Sequence, residues 1–349
     1  MNRREMIGTM AVAASTLAMP RLARAQTPEF TFRLHHFLSQ QAPAQTKMLE
    51  PWAAAVAENS GGRVKIEIFP AMTLGGRPPE LVQQARDGIV DLVWTANGYT
   101  AGLFPRTEVM ELPTVYKNDP AAANLALFDM FEDDLKPEYA GLEVMFLHVH
   151  AGQALQMRDS DVHSPADLVG KKLRIPTRTG AWVIEALGAS PIAMPVPELP
   201  PALQKGVVDG ALIPWEIIPP LKMQEQTKFQ IEGFEMERFG NTTFQVSMNA
   251  GRWAGLPEDI QKAFRDASGR DWLSEVGAIW RASDDFGIKV ATDAGNTHTV
   301  LTEAETTVFR DAMSPVVGKW VEEVSGQGID GARLVDRARS LVASNATPK

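Results

Sequence analysis

Residues 164–216 read SPADLVGKKLRIPTRTGAWVIEALGASPIAMPVPELPPALQKGVVDGALIPWE, and the fold is decided there. Residues 172–176 (KLRIP) alternate between charged and apolar side chains and predict a short strand. A helix is expected over 181–187, a strand near 192–194, a second helix over about 199–205 and a third strand over 207–212. Strands alternating with helices of about ten residues build βαβ units and a parallel sheet. Arg174 stands out as a cation in a strand flanked by Leu173 and Ile175. Such a residue either pairs on an exposed sheet edge or turns its planar fork toward a carboxylate.

The same grammar holds upstream. Residues 30–37 (FTFRLHHF) alternate in polarity as a first strand, and 44–59 form an amphipathic helix carrying Met48, Trp52 and Val56, ended by Gly61 and Gly62. Strands follow at 64–69 and 91–96, with a helix at 79–87 between them. This is a βαβαβ half of a doubly wound sheet, whose ligands sit beyond the carboxyl ends of the strands. Those ends present His35, His36 and Phe37 after the first strand, and Trp94 and Tyr99 at and after the third. Neighbouring residues of a strand face opposite ways, so His35 and His36 cannot chelate one ion together and at most one enters a cleft. An ordinary core or surface role is equally natural for histidine. Trp94 suits a pocket wall, where aromatic side chains dominate, with simple core packing as the alternative.

Residues 142–149 and 243–249 read as two extended crossovers, a natural hinge for closure of two lobes. The length fits two lobes. We take residues 26–148, with part of 246–275, as the first lobe and 149–245 as the second, with helices of 276–349 packing on both. A long amphipathic segment over 258–291 is expected to lie across them, and Trp253, Trp272, Trp280 and Trp320 are assigned to packing.

Residues 1–25 read as an export signal: Arg3 and Arg4, a short apolar run, then Ala23-Arg-Ala25 as a small-x-small cleavage site. The run is too short to span a bilayer, and a periplasmic destination follows. That segment holds four arginines against one glutamate, so its removal takes the formal charge from −9 to −12. An acidic surface argues against nucleic acid or anionic lipid as partner. The chain has no cysteine, hence no disulfide, thiolate metal site or thiol nucleophile.

Several motifs in order resemble the solute-binding proteins of TRAP-type (tripartite ATP-independent periplasmic) transporters. They are SPADLxGKKLRIP, GASPIAMP and ALQKGVVDG in the opening stretch, with SGGRVKIEIFP at 60–70, TLGG at 73–76, DGIVDL at 87–92 and Met248-Asn249 before Leu256-Pro257. The resemblance implies an α/β, two-lobed periplasmic binding protein fold: two doubly wound sheets joined by crossover strands, with a long helix across both lobes. It implies a monomer that closes on a small organic acid and delivers it to membrane permease subunits, with no cofactor and no catalysis. It also implies that Arg174 clamps the ligand carboxylate. This chain departs from the pattern at Ile213, where an asparagine is expected, and in having no arginine between 148 and 157. One cation with apolar surroundings suits a monocarboxylate with an apolar or aromatic body, since a second buried charge would be poorly matched.

The binding residues expected are Arg174, Trp94, Trp215, Tyr99, His36, Gln153, Arg178 and Phe37. Arg178 shares strand parity with Arg174 and precedes a helix N-terminus, so it is either a second cation or a solvated loop residue. Some relatives hold a cation with a Gln, a Trp carbonyl and an acid; Gln153, Trp215 and Glu216 are the right types, but one acid is too few and no metal is expected. The rivals are an ABC-type or receptor-linked carboxylate-binding protein, a dicarboxylate binder, and an exported enzyme. The last lacks G-x-S-x-G, H-E-x-x-H or spaced paired carboxylates.

Overall fold

The computed structural model describes residues 27–346, so the expected export segment at 1–25 lies outside the described residues. The strands are β1 (Phe30–His36), β2 (Val64–Phe69), β3 (Leu92–Ala96), β4 (Leu142–Val149), β5 (Ala154–Met157) and β6 (Lys172–Ile175). Then come β7 (Ser190–Ala193), β8 (Gly210–Ile213), β9 (Phe229–Glu232), β10 (Thr243–Asn249) and β11 (Thr297–Val300). The helices of the first three quarters are α1 (Glu50–Asn59), α2 (Leu81–Arg86), α3 (Pro120–Met130), α4 (Arg178–Ala186), α5 (Leu199–Gln204), α6 (Ile218–Leu221) and α7 (Ala250–Ala254). The chain ends in α8 (Glu258–Asp266), α9 (Arg270–Asp293), α10 (Glu303–Met313), α11 (Pro315–Ser325) and α12 (Gly331–Asn345).

Two sheets result, one per lobe, in the orders β2-β1-β3-β10-β4 and β11-β9-β5-β8-β6-β7. β1 runs parallel to β2 and β3, and β6 runs parallel to β7 and β8. These are the βαβ parts expected. Each sheet also takes in a strand delivered by the chain passing between lobes: β10 lies antiparallel to β3, and β5 antiparallel to β8. Because it is covered on both faces, β3 is buried at every residue and reads as a continuous apolar run.

The strands expected as crossovers are neighbours within the first sheet, with Phe244 opposite His148. Residues 243–245 therefore belong to that sheet, and the crossings are the short segments 150–153 and 239–242. These two segments are tied together: the Gln153 amide donates to the Gly240 carbonyl at 2.9 Å, and the Phe239 amide to the Gln153 carbonyl at 3.0 Å. The Gln153 side chain adds bonds to Asn241 and Thr242, so the two crossings form one short paired hinge.

Local chemistry sets the helix ends that matter. Thr177 caps α4, its Oγ1 accepting from the Gly180 amide at 3.0 Å, a contact worth about 1 kcal/mol. The cap starts the helix at Arg178, earlier than apolar spacing alone suggests. The segment expected as one helix over 258–291 is broken at 267–269. Gly269 takes an extended conformation and the buried Ser268 Oγ accepts from Trp52 Nε1 at 3.0 Å. Beyond the break, α9 buries Leu273, Val276, Gly277, Trp280, Asp284, Gly287 and Ala291, a stripe at helical spacing.

Two of these are glycines for a steric reason. A Cβ on Gly277 would lie 2.4 Å from the Ala121 Cα of α3, and one on Gly287 would lie 2.0 Å from the Trp215 carbonyl oxygen. The helix thus meets the first lobe at one glycine and the second at the other.

Candidate functional site

Between the sheets lies a narrow cleft. Its first-lobe wall is aromatic. Phe37 follows β1, Trp94 sits on β3 and Phe244 on β10, so three adjacent strands each place a ring there. Trp94 stacks on Phe37 (centroids 4.9 Å apart, planes 11° apart) and on Phe244 (5.2 Å, 8°). Tyr99 meets Phe37 edge-on at 5.2 Å. Such pairs add about 0.5–1.5 kcal/mol each beyond buried area, which makes a rigid wall. Behind it, Trp94 Nε1 donates to His148 Nε2 at 2.9 Å. His148 Nδ1 lies 3.1 Å from the Val149 carbonyl and 3.1 Å from Trp280 Nε1, so the ring is held from both sides. Burial holds its pKa down at about 3.

The second-lobe side carries the polar groups. Arg174 on β6 is 2 % exposed. Its Nε donates to the Met194 carbonyl at 2.9 Å and its Nη1 to the Leu212 carbonyl at 3.2 Å, while Nη2 is buried with no partner. Among the described residues no carboxylate lies within ion-pair distance of it. Tyr99 is its neighbour, and the Tyr99 hydroxyl accepts from the Val196 amide at 2.9 Å, a bond between lobes. Burial pulls the arginine pKa down, yet a guanidinium stays charged in proteins. An unpaired buried cation costs several kcal/mol, and an anion that arrives with the right fork geometry removes that cost.

His150, Gln153 and Glu216 also line the cleft. His150 Nδ1 accepts from the Gly152 amide at 2.9 Å, which puts the proton on Nε2. Burial first, then the neighbouring His148 ring and the Arg238 and Arg174 charges, hold its pKa well below the usual value. Gln153 Nε2 donates to Thr242 Oγ1 at 2.8 Å and to the Asn241 carbonyl at 3.2 Å, leaving Oε1 without a partner. Glu216 sits in a turn fixed from α9: Asp284 Oδ1 accepts from the Trp215 amide at 2.9 Å and from the Glu216 amide at 3.2 Å. Burial, then repulsion from Asp284, pushes the Glu216 carboxyl far above its usual pKa. Burial therefore favours its protonated form.

Of the residues expected from sequence, Phe37, Trp94, Tyr99, Gln153 and Arg174 come together around this cleft, and three do not. His36 is buried behind the wall, bonded to Gln45 Oε1 at 3.0 Å and edge-on to Trp94. Arg178 is turned away to grip Glu108 with two bonds of 2.7 Å, and it reaches Glu323 at 3.2 Å. Trp215 points into the lobe, its Nε1 donating to Glu232 Oε2 at 3.2 Å, while its carbonyl meets α9 at Gly287. The turn at 215–217 explains the last case, since a period-2 reading fails once the chain coils and Glu216 and Ile217 face the cleft instead. Trp280, assigned to packing, lines the cleft from α9. Among the described residues no group of three or more His, Cys, Asp or Glu side chains is placed to hold a metal ion.

A two-lobed α/β frame with bare crossings and a cleft between sheets defines a solute-binding protein. The chain belongs to the bacterial extracellular solute-binding protein family 7, whose model matches residues 34–323. It is 36 % identical to a TRAP solute-binding protein from Rhodoferax ferrireducens solved with copurified benzoate. The match covers 90 % of this chain and 98 % of that one, with a TM-score of 0.88. A marine metagenome TRAP protein specific for aromatic acid ligands, solved with 3-hydroxybenzoate, is 34 % identical, covering 92 % and 100 % with a TM-score of 0.89. Among curated relatives, the 2,3-diketo-L-gulonate-binding periplasmic protein YiaO of Escherichia coli is 26 % identical over 290 residues, 81 % of this chain and 84 % of that protein.

Proposed function

We propose that this chain is the periplasmic solute-capturing subunit of a TRAP transporter, and that it closes over an aromatic monocarboxylate and passes it to the membrane permease subunits. One observation carries the reading: Arg174 is buried with an unpaired Nη2, beside a stacked aromatic wall and without a carboxylate of the protein's own. Its fork receives the ligand carboxylate. The ring lies along Phe37, Trp94 and Phe244, where burial of roughly 150 Å² of aromatic surface adds about 4 kcal/mol. A second carboxylate would face Gln153 Oε1 and Glu216, neither of which can neutralise it, so dicarboxylates are disfavoured. The solved relatives that bind benzoate and 3-hydroxybenzoate support the same ligand class.

Titration calorimetry tests it. Benzoate and its ring-substituted relatives should bind in the micromolar range or tighter, and succinate at least tenfold more weakly. Preference for succinate would overturn the aromatic assignment. Closure turns about 150–153 and 239–242, so benzoate should reduce the radius of gyration in scattering. Cell fractionation with N-terminal sequencing checks the location, with a mature start expected near Gln26.

A further inference from the structure

We infer that the cleft reads a second group on its ligand: a ring hydroxyl held away from the carboxylate, received by Gln153 and Glu216. The inference rests on the aromatic-monocarboxylate reading and narrows it. Two buried oxygens of the cleft residues have no partner, Gln153 Oε1 (residue 1 % exposed) and Glu216 Oε2 (4 % exposed). Buried polar atoms are rarely left unpaired, and two in one cleft mark something that arrives with the ligand. The Gln153 amide cannot turn away to find another partner, and the backbone that carries Glu216 is fixed. Gln153 is fastened through Nε2 to Asn241 and Thr242, and the Glu216 turn is fastened to Asp284.

Their place relative to Arg174 sets the ligand's length. Arg174 Nη1 bonds the Leu212 carbonyl, whereas the pairing of Ala154 with Ile213 puts Gln153 beside Pro214, two residues further along. Two strand residues span roughly 7 Å, about the reach from a carboxylate to a hydroxyl across one benzene ring. A hydroxyl matches both oxygens, because it can donate to either one and can accept from the protonated carboxyl that burial favours at Glu216.

The test is calorimetry at pH 7 with EDTA present, using benzoate, 3- and 4-hydroxybenzoate and their methoxy counterparts. At least one hydroxy acid should bind the wild type about tenfold or more tightly than benzoate, and its methoxy counterpart, which cannot donate, should lose most of that margin. In Gln153→Met and in Glu216→Leu the hydroxy-to-benzoate ratio should fall below about threefold, whereas Glu216→Gln, which keeps a neutral donor, should retain it. The ratio is independent of any general weakening, and the methoxy comparison needs no variant to fold. Benzoate binding with no hydroxyl margin would overturn this inference and leave the parent reading intact. A margin that survives in both variants, or that appears only when calcium or sodium is added, would also overturn it. If none of these acids binds, both readings fall.

Discussion

Arg174 and Arg178 stand four residues apart on one strand–helix segment and have opposite surroundings. Arg178, at the start of α4, holds Glu108 with two bonds and Glu323 with a third, and Trp320 Nε1 completes the cluster on Glu108 at 3.3 Å. Next to it, Thr179 Oγ1 donates to Glu111 Oε2 at 2.9 Å, and Thr243 Oγ1 to Glu111 Oε1 at 2.8 Å. That cluster joins the second lobe to the first, with the Arg178 charge answered by two carboxylates. Arg174 is more deeply buried and has two carbonyls only. Where the chain supplies the counter-charge, a buried cation serves the fold; where it supplies none, the cation is set for an incoming anion.

The sharpest way to break this contrast is Arg174→Ala. It should weaken benzoate binding by roughly a hundredfold to a few thousandfold, from a penalty of about 3–5 kcal/mol, while the melting temperature stays level or rises. A loss below fivefold in a folded protein would reject the clamp. Arg174→Lys keeps the charge but loses the fork and should fall between the two. Arg178→Ala should invert the pattern. It strands the buried Glu108, so stability should drop by about 1–3 kcal/mol with no change in the order of ligand preference. A changed preference at constant stability would move Arg178 back into the cleft.

Tyr99→Phe probes the border between the regions, since it removes the acceptor for the Val196 amide and a neighbour of Arg174. Calorimetry should show binding weaker by roughly two- to tenfold, from about 0.5–1.5 kcal/mol. The least abrupt effect belongs to Glu111. Burial, then repulsion from Glu108, raises its pKa from 4.5 to about 7. An acid whose pKa is raised on folding stabilises the fold fully below pH 4.5, and that contribution fades as pH climbs to about 7. Glu111→Gln mimics the protonated form, so its melting temperature should decline less between pH 5 and 8 than the wild type does. Parallel curves would show that Glu111 does not titrate in this range.

The alternation of strand and helix over 164–216 was legible because apolar spacing and turn residues are local. β6, α4, β7, α5 and β8 lie within a few residues of where that pattern puts them. Arg174, Phe37, Trp94 and Tyr99 were legible because they sit at or just past strand ends. His150, Glu216 and Phe244 escaped because their approach to the cleft depends on the crossings and on α9, contacts spanning tens to a hundred or more residues. Trp215 and Trp280 exchanged expected places because the coil at 215–217 turns the Trp215 ring into the lobe, while the α9 stripe brings Trp280 to the cleft. The fate of Arg178 was set by Glu108, 70 residues away, which no local pattern ties to it.

Helix α9 meets one lobe at Gly277 and the other at Gly287, ten residues or about 15 Å apart along its axis. In mechanical terms it is a strut seated at both ends, with the paired crossings acting as the pivot beside it. The thickness of the seat then fixes the angle at which the lobes rest. One methyl group at Gly287 is a shim driven against the Trp215 carbonyl. Gly287→Ala should open the scattering profile, with the neighbouring turn that carries Glu216 taking up the shift. The ease of closing can therefore be adjusted from behind the cleft, by a residue that never meets the ligand.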